Sequence, residues 1–586
     1  MRRVMVGCLA VIGGLVVAGV LLILVVALTF RSTSGRVPSS TILEVNLETG
    51  LVEDIPDDPV AKALSGGTPV VRDIVEALDR AANDNRVAGL VARLGAAPMG
   101  LAKVQEIRDA VRNFRAHKKF AIAFAETFGE VGPGNGAYYL ASAFDQIWLQ
   151  PSGDIGLTGI YMESTFFRGG LDKLGVVPRM DHRYEYKNAM NVFTEKKYTA
   201  AHREAVEKVM NSWFSQIVRG ISQGRGIPEE QVRALVDRAP FLGQEAVDAK
   251  LVDGLAYRDD VYARVKKRAG EGARLLYLGK YLERAGRPHQ SGQTIALIYG
   301  AGAVQRGKSS FDPVFGSSTM GSDSVTAAFR SAIENPSVKA ILFRVDSPGG
   351  SYVASDAIWR ETVRARKAGK PVIVSMGDVA GSGGYFVAMA ADKIVAQPGT
   401  ITGSIGVLGG KMITSGAWDK LGISFDETHA GKNATMWSST SDYTPAEWAR
   451  FEAWLDRVYS DFTSKVADGR RLPKARVLEI AKGRIWSGED AKQLGLVDEL
   501  GGFPTALALA KSAAHIAASE DVRLELFPKK KSTFESFMDQ FAGQTPDSSE
   551  RALVRTLELI QPIARQLRAV YGTRGVLEMP AMEAGR

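Results

Sequence analysis

Gly381-Ser382-Gly383-Gly384-Tyr385-Phe386 is the stretch that decides the fold, because the chain contains a second version of it, Gly134-Asn135-Gly136-Ala137-Tyr138-Tyr139. A serine between glycines is typical of a turn that joins a strand to a helix. The second version has an amide in place of the hydroxyl, and an amide cannot act as a nucleophile. A duplicated scaffold with serine in only one half indicates an enzyme with one active site for every two repeats.

The similarity between the two halves extends far beyond this turn. Leu171–Val176 matches Trp418–Ile423 at the same spacing as the serine turn. With a small change of spacing, Lys187-Asn188-Ala189 matches Lys432-Asn433-Ala434. Chance similarity would not keep register over so many residues. A repeat of this length predicts two domains rather than a solenoid of short units.

Short β-runs alternate with amphipathic segments along the chain. Ala340–Phe343 and Pro371–Ser375 are such runs, and the segment Ser355–Ala368 between them has helical periodicity. This alternation predicts an α/β fold with parallel strand pairing in each of two tandem repeats.

The predicted organisation has five parts. They are a transmembrane anchor over 1–31, a first repeat over 41–270, a polar linker over 271–293, a second repeat over 294–510, and a tail over 511–586 with a helical stretch at Ser549–Val570.

Length, charge and cysteine content restrict the possible functions. A chain of 586 residues is too long for one core. The net charge of +8 is mild, and no Lys/Arg block argues for nucleic acid, so a solvated basic surface is the ordinary interpretation and weak attraction to anionic lipid the alternative. Cys8 is the only cysteine, which excludes an intrachain disulfide and a metal site built on thiolates. We expect no metal and no cofactor.

The N-terminus predicts a membrane anchor. Val4 to Phe30 carries no charge and is long enough to cross a hydrocarbon core of about 30 Å. The run ends Ala27-Leu28-Thr29-Phe30-Arg31 without a clear cleavage site, which favours an uncleaved anchor over a signal peptide. Arg2 and Arg3 precede the run and, although basic residues after it weaken the bias, they place the N-terminus in the cytoplasm. We therefore expect a single-pass inner-membrane protein whose catalytic body lies on the periplasmic side.

Two glycine-rich turns could carry the chemistry. Arg344–Ser351 runs from a strand through Pro-Gly-Gly into a helix, so its backbone N–H groups could cradle an oxyanion. The turn around Ser382 exposes a hydroxyl, although Ala380 means that it is not the Gly-x-Ser-x-Gly elbow. Each turn alone is better explained as structural. Together, at the ends of successive strands, they favour a catalytic site.

A serine nucleophile needs a base. The chain has six histidines, and none lies in a motif typical of a catalytic triad. A lysine can serve when burial lowers its pKa toward neutrality. Lys187 and Lys432 are candidates because both repeats place a Lys-Asn-Ala sequence there, although an isolated lysine is usually a surface charge.

The pattern Asp346–Ser351, Gly381–Tyr385 and Thr402-Gly403-Ser404-Ile405-Gly406-Val407 resembles the signal peptide peptidase A (SppA) family, and the anchor and duplication resemble its long form. The resemblance covers roughly 40–510. It implies tandem domains of the Clp-protease/crotonase superfold and a serine peptidase with a Ser/Lys dyad. It also implies cleavage of signal-peptide remnants in the membrane and a dome-like ring of several chains, for which we expect a tetramer.

The resemblance also assigns roles to residues. Ser382 would be the nucleophile, and Lys187 would be the general base, because the long form takes its lysine from the first repeat. Backbone N–H groups of Gly350 and Gly383 would form the oxyanion hole, and Ser404 would help to hold the lysine ammonium.

The first repeat has lost most of these groups. It has Asn135, Leu157 and Met99 where the second repeat has nucleophile, helper serine and oxyanion glycine. Lys432 remains a rival base, because the short form of the family has serine and lysine in one repeat. Our hypothesis is that each repeat lends its lysine to the serine of a neighbouring repeat around the ring, so that Lys187 serves the active one.

Two alternatives to a peptidase of extended apolar peptides remain. One is a non-proteolytic acyl-transfer or acyl-CoA enzyme that would use the same oxyanion glycines without Ser382. The other is a ring-forming membrane scaffold, which would have no reason to keep Gly350, Ser382 and Ser404 in one half only.

Overall fold

The computed structural model describes residues 35–53, 68–312 apart from Ala96 and Pro98, 317–528 and 577–578. The predicted anchor over 1–31 and the predicted helical stretch Ser549–Val570 lie outside these residues. Among the helices that are described, none combines the length and the apolar character that crossing a bilayer requires.

The first repeat is built on one six-stranded parallel sheet with the order β8-β4-β3-β2-β1-β9. Its elements in chain order are β1 (Thr41–Asn46), α1 (Val71–Ala82), β2 (Val87–Leu94), α2 (Leu101–Ala116), β3 (Phe120–Ala125), α3 (Asn135–Ala141), β4 (Gln146–Leu149), β5 (Asp154–Ile155), α4 (Arg168–Leu174), β6 (Val177–Arg183), a 3₁₀ turn (Asn188–Met190), α5 (Asn191–Thr194), α6 (Ala200–Arg225), α7 (Glu229–Arg238), β7 (Phe241–Leu242), α8 (Gly243–Asp248), β8 (Gly254–Leu255), α9 (Arg258–Ala269), β9 (Arg274–Tyr277) and α10 (Leu278–Ala285).

The second repeat begins with the strand that follows α10. Its elements, with a strand near the C-terminus that pairs with it, are β10 (Gln293–Ala301), β11 (Ala303–Gln305), β12 (Ser310–Asp312), β13 (Ser317–Gly321), α11 (Ser322–Glu334), β14 (Val338–Ser347), β15 (Gly349–Gly350), α12 (Tyr352–Lys367), β16 (Val372–Gly381), α13 (Gly383–Ala388), β17 (Lys393–Ala396), β18 (Ile401–Gly403), β19 (Val407–Ile413), α14 (Ser415–Lys420), α15 (Pro445–Arg470), α16 (Lys474–Ile480), β20 (Ile485–Ser487), α17 (Gly488–Gln493), β21 (Glu499–Leu500), α18 (Phe503–Ala513), β22 (Val522–Phe527) and β23 (Leu577–Glu578).

The two repeats have the same sheet. The parallel order β21-β17-β16-β14-β10-β22 in the second repeat matches β8-β4-β3-β2-β1-β9 in the first, strand for strand. A short antiparallel pair also recurs, as β5 with β7 and as β18 with β20. In the second repeat this pair is joined to the end of β16. The prediction of tandem α/β repeats with parallel strands is confirmed.

Both sheets are covered by helices on both faces, which explains their near-continuous apolar strands. All six residues of β3 are buried, as are the first six of β16. The helix predicted from Ser355 begins instead at Tyr352. It starts earlier because the hydroxyl of Ser351 accepts a hydrogen bond from the backbone N–H of Ala354 and caps the first turn.

The two repeats join through strands as well as side chains. β6 of the first repeat pairs antiparallel with β19 of the second, from Val177 opposite Ile413 to Arg183 opposite Val407. Helix α6 packs on β20, and a buried apolar contact between the repeats contains Ala205, Val209, Ile401 and Ile485. The chain that leaves β6 is thereby directed into the second repeat.

Candidate active site

Ser382 lies at the sharp turn between β16 and α13. Its backbone has φ 53° and ψ −115°, a positive φ that few non-glycine residues adopt. The turn is held by a hydrogen bond from the N–H of Ser382 to the carbonyl of Gly403, 2.8 Å long. In the isolated chain the serine is fully buried. Backbone strain of this kind is common at functional sites because the surrounding structure holds it in place.

Lys187 of the first repeat reaches the serine of the second repeat within the same chain. It follows β6, and its Nζ lies 2.6 Å from Ser382 Oγ. The same Nζ lies 3.0 Å from the hydroxyl of Ser404 and 3.1 Å from the Ser404 carbonyl oxygen. The lysine is fully buried. Burial disfavours the ammonium form of an amine relative to the neutral form, and only the neutral form can accept a proton.

Two glycines of the second repeat make room for this lysine. A Cβ added to Gly483 would lie 2.5 Å from Cβ of Lys187, and a Cβ added to Gly406 would lie 3.2 Å from its Cδ. The Gly483 backbone also has φ 81°, which disfavours any side chain. The close approach of these backbones fixes the path of the lysine stem.

The candidate oxyanion donors lie side by side. A Cβ added to Gly383 would lie 3.0 Å from the backbone nitrogen of Gly350, so the N–H groups of these two residues are neighbours. Gly350 has φ 151°, and a Cβ there would lie 2.2 Å from the carbonyl oxygen of Val304. Only glycine fits at this position, which explains the Pro-Gly-Gly sequence.

Strand β15, which contains the donor Gly350, also pairs with a remote segment. Gly350 pairs with Val304 on one side and antiparallel with Leu577 on the other, while Gly349 lies opposite Glu578. An extended segment of chain therefore lies as a strand beside the candidate oxyanion hole.

The tyrosine of the serine turn has a structural role in both repeats. Tyr385 donates its hydroxyl proton to the carbonyl of Leu496, 2.9 Å away, and Tyr138 does the same to Leu251 at 2.7 Å. Both rings are fully buried, and burial raises the pKa of each phenol above its ordinary value. These tyrosines fix the helix after the turn.

In the equivalent turn of the first repeat, the Asn135 side chain is held by hydrogen bonds to the backbone of Gly159. The side-chain amide of Asn135 donates to the Gly159 carbonyl at 2.8 Å, and its oxygen accepts from the Gly159 N–H at 3.1 Å. Leu157 is fully buried in the core, and Met99 packs against that core. The amide therefore ties two loops together where the second repeat has its serine.

Other candidate bases lie elsewhere. Lys432 is exposed at the surface, in a segment where the first repeat has Lys187. Among the described contacts, no histidine lies within hydrogen-bond distance of Ser382 Oγ. His202 is buried against Tyr198, and desolvation lowers the pKa of its imidazole to about 4.

Sequence reasoning missed a set of buried and partly buried charges close to the two catalytic turns. Lys103 lies between Asp346 and Asp378, and Arg344 lies between Glu53 and Glu106. Asp346 and Arg344 were part of the motif, but their partners are remote in sequence. No local signal links them.

Comparisons with known proteins show the family to which the chain belongs. The family model "Peptidase family S49" matches residues 114–271 and 364–517, once in each repeat. "Protease 4" of Salmonella typhi is 33% identical over 485 residues, which cover 80% of this chain and 76% of that protein. "Protease 4" of Haemophilus influenzae is 30% identical over 584 residues, covering 93% of this chain and 91% of that protein. "Serine protease SPPA, chloroplastic" of Arabidopsis thaliana is 32% identical over 457 residues, covering 76% and 66%.

A solved structure of a ClpP1 mutant from Listeria monocytogenes is 13% identical and covers 36% of this chain and 94% of that one, with a TM-score of 0.23. That score is too low to test the predicted superfold. The family assignment rests instead on the two model matches and on relatives aligned along most of the chain, which confirm the resemblance to SppA proteins. The chain belongs to peptidase family S49 and is a serine peptidase.

Proposed function

We propose that this protein is a membrane-anchored endopeptidase that uses Ser382 and Lys187 as a catalytic dyad to degrade apolar peptides such as cleaved signal peptides. The observation that supports the dyad most directly is the distance of 2.6 Å between Lys187 Nζ and Ser382 Oγ. A nucleophile and its base must lie within about 2.6–3.2 Å for the proton to pass between them.

In this mechanism the neutral amine of Lys187 takes the hydroxyl proton as Ser382 Oγ attacks a peptide carbonyl carbon. The oxygen of that carbonyl becomes an oxyanion, which the N–H groups of Gly350 and Gly383 stabilise. The lysine ammonium then gives its proton to the leaving amine, and the acyl-enzyme is hydrolysed by water. Ser404, through its hydroxyl and carbonyl oxygens, orients the amine and stabilises the ammonium form as it develops.

The pairing of β15 with β23 supports a peptide as the substrate. Strand addition to an exposed edge is one of the common ways in which proteins bind extended peptides. Leu577–Glu578 lies antiparallel to Gly349–Gly350, beside the candidate oxyanion donors. An edge that accepts an extended strand at this position favours a peptide over an acyl-CoA as the substrate.

The test compares two kinds of chemistry on the full-length protein. We expect a serine-directed acylating probe to label Ser382, and mass spectrometry of the digested protein locates the label. We also expect the protein to cleave an unstructured apolar peptide faster than a polar peptide of equal length. Labelling with no peptide cleavage, together with turnover of an acyl-CoA, would instead favour the acyl-transfer alternative. If neither labelling nor turnover of either substrate is observed, the scaffold interpretation is favoured.

The localisation belongs to the proposal. The uncharged run Val4–Phe30 with Arg2 and Arg3 before it supports an inner-membrane anchor with the catalytic body on the periplasmic side. Such an anchor would hold the site next to a membrane that contains the apolar peptides released by export.

We also propose a head-to-tail ring of several chains, with a tetramer favoured by the family resemblance. Within one chain, β6 of the first repeat pairs with β19 of the second. The segments that match them, 424–430 in the second repeat and 160–166 in the first, lie outside the described strands and carry exposed apolar side chains, such as Phe425 and Tyr161. The same pairing between neighbouring chains would cover both, and a heterologous contact of this kind forms a ring when its rotation closes.

Breaking this contact should change the assembly without touching the dyad. We expect Phe425→Glu to lower the mass of the detergent-solubilised protein measured by analytical ultracentrifugation, because it places a charge in an apolar contact. Tyr257→Glu is the control, because Tyr257 is similarly exposed, at 54% against 55% for Phe425, but lies before α9, outside the matching segments. Equal masses for wild type and Phe425→Glu would argue against this contact.

A further inference from the structure

A cluster of partly buried charges connects the first repeat to both catalytic strands of the second. Lys103, on α2 of the first repeat, has its Nζ 2.8 Å from Asp346 and 2.7 Å from Asp378. Its backbone N–H also donates to Asp378, at 3.0 Å. Asp346 lies on β14, before the oxyanion glycines, and Asp378 lies on β16, before the nucleophile. One lysine therefore holds the two strands that end in the catalytic groups.

The contact is tight as well as charged. The side chains of Lys103, Asp346 and Asp378 are only 13%, 15% and 18% exposed. A Cβ added to Gly100, which precedes α2, would lie 1.9 Å from the carboxylate of Asp378. The helix can approach the strand this closely only because residue 100 is glycine.

The charges in the cluster favour the ammonium form of Lys103. Burial by itself lowers the pKa of this amine, but attraction to Asp346 and Asp378 outweighs it and raises the pKa above the usual range. Burial raises the pKa of the Asp346 carboxyl, yet Lys103 brings it below its ordinary value. For the Asp378 carboxyl, burial outweighs the attraction of Lys103, and its pKa lies above the ordinary value. Without the lysine, two carboxylates would face each other in a site with little water, and at least one would have to take up a proton.

The cluster pins an irregularity in the nucleophile strand. β14 and β16 pair regularly up to Val345 opposite Met376, and pairing resumes at Ser347 opposite Ala380. Three residues of β16 therefore lie opposite the single residue Asp346. A bulge of this kind bends a strand and re-aims the side chains that follow it.

One carboxylate of the cluster bonds to this bulge, and the other belongs to a bulge residue. Asp346 accepts the backbone N–H of Val379 at 3.0 Å, and Asp378, inside the bulge, accepts the N–H of Lys103. A Cβ added to Gly377 would lie 2.8 Å from the Asp346 carboxylate carbon. Ser382 follows three residues after the bulge, so its position depends on how the bulge is held.

The reciprocal contact, from the second repeat to the strands of the first, has no charged residues. In the first repeat Gly95 stands where the second has Asp346, and in the second repeat Ala354 stands where the first has Lys103. The contact therefore acts in one direction, from the silent repeat to the one with the serine.

We propose that Lys103 is a positioning residue for the catalytic centre, acting through Asp346 and Asp378 to hold the bulge that aims Ser382 toward Lys187 and the oxyanion donors. This rests on the proposed dyad mechanism. The first repeat would then contribute two lysines to the site. Lys187 is the base, and Lys103 positions the strand that carries the nucleophile. A misplacement of about 1 Å in a catalytic group can lower a rate about 100-fold.

The test measures kcat and KM for the apolar peptide on full-length protein, normalised to the serines that react with the acylating probe. We expect Lys103→Met to lower kcat per reactive serine by about 10- to 100-fold with little change in KM, and Lys103→Arg to restore part of the loss. Asp378→Asn keeps an oxygen for the Lys103 N–H but removes the charge, so it reports on the same contact if Lys103→Met does not fold. Combining Lys103→Met with Asp378→Asn should reduce kcat less than the product of the two single losses, because both substitutions disrupt the same ion pair.

Arg287→Met is the matched control. Arg287 also lies between two carboxylates, Asp73 and Glu76, at 2.6 Å from each, but all three lie outside the second repeat. We expect this variant to lose stability without losing kcat per reactive serine. A kcat for Lys103→Met or Asp378→Asn within twofold of wild type, or an equal loss in Arg287→Met, would overturn the positioning role. Absence of activity in the wild type would instead reject the proposed function.

Discussion

Replacing Ser382 by alanine is expected to lower kcat/KM for peptide cleavage by about four to six orders of magnitude. Alanine has no oxygen to form the acyl-enzyme, and only the oxyanion donors and substrate binding would remain to assist water. The variant should fold, because Lys187 keeps its contacts with the hydroxyl and carbonyl oxygens of Ser404. Steady-state kinetics with the apolar peptide, together with loss of labelling by the acylating probe, measures the effect.

The repeat itself offers the control for this substitution. Asn135→Ala removes the side chain at the matching turn of the first repeat, where the amide makes two hydrogen bonds to Gly159. We expect it to lower stability by about 1 kcal/mol, because two partly buried hydrogen bonds are lost, while kcat/KM stays within a few-fold of wild type. A Ser382→Ala protein that keeps more than one hundredth of the wild-type activity would contradict the assignment of the nucleophile.

The duplication and the parallel sheets could be predicted from the sequence, because short, contiguous sequence patterns indicate strands and turns. The apolar runs of β14 and β16 and the glycines at their ends are local signals, and they place Ser382 and Gly350 at neighbouring strand ends. The structure places them there, with the same strand order in both repeats. Ser404 and Lys187 entered through the family resemblance rather than through periodicity.

The contacts between the repeats could not be predicted in this way. Lys103 and Asp378 lie far apart in the chain, and each alone looks like an ordinary surface charge. Gly483 gives no sign in the sequence that it lies against Lys187, because a glycine after a helix is typical of a turn. These contacts exist only once the two sheets are docked, and docking depends on β6, β19 and α6 together.

The choice between the two lysines shows the same limit. Lys187 and Lys432 occur in identical Lys-Asn-Ala sequences, so local patterns cannot separate them. What separates them is the strand before each lysine. β6 pairs with the second repeat and delivers Lys187 into it, whereas the segment before Lys432 is exposed in the single chain.

Lys187→Ala is accordingly expected to lower kcat/KM by at least about 1000-fold, whereas Lys432→Ala should stay within about twofold of wild type. Lys187→Arg should be as inactive as alanine, since a guanidinium does not lose its proton at any working pH. Ser382 would still be present in Lys187→Ala, so the acylating probe should label it, but slowly. The rates of peptide cleavage and of labelling are measured side by side. Loss of activity in Lys432→Ala alone would show that the wrong base had been assigned.

Mixed assemblies decide whether the two catalytic residues act within one chain. In the structure, Lys187 and Ser382 belong to the same chain, so a chain with Ser382→Ala and a chain with Lys187→Ala each lack half of the only dyad they can form. Co-expressing the two inactive variants should therefore restore no activity, even when differently tagged chains are shown to purify together. If the lysine came from a neighbouring chain, a mixed ring would contain contacts with both residues intact, and activity would return. The expected inactivity of the mixed ring therefore distinguishes a Lys187 that acts on Ser382 of its own chain from one that acts on Ser382 of a neighbouring subunit.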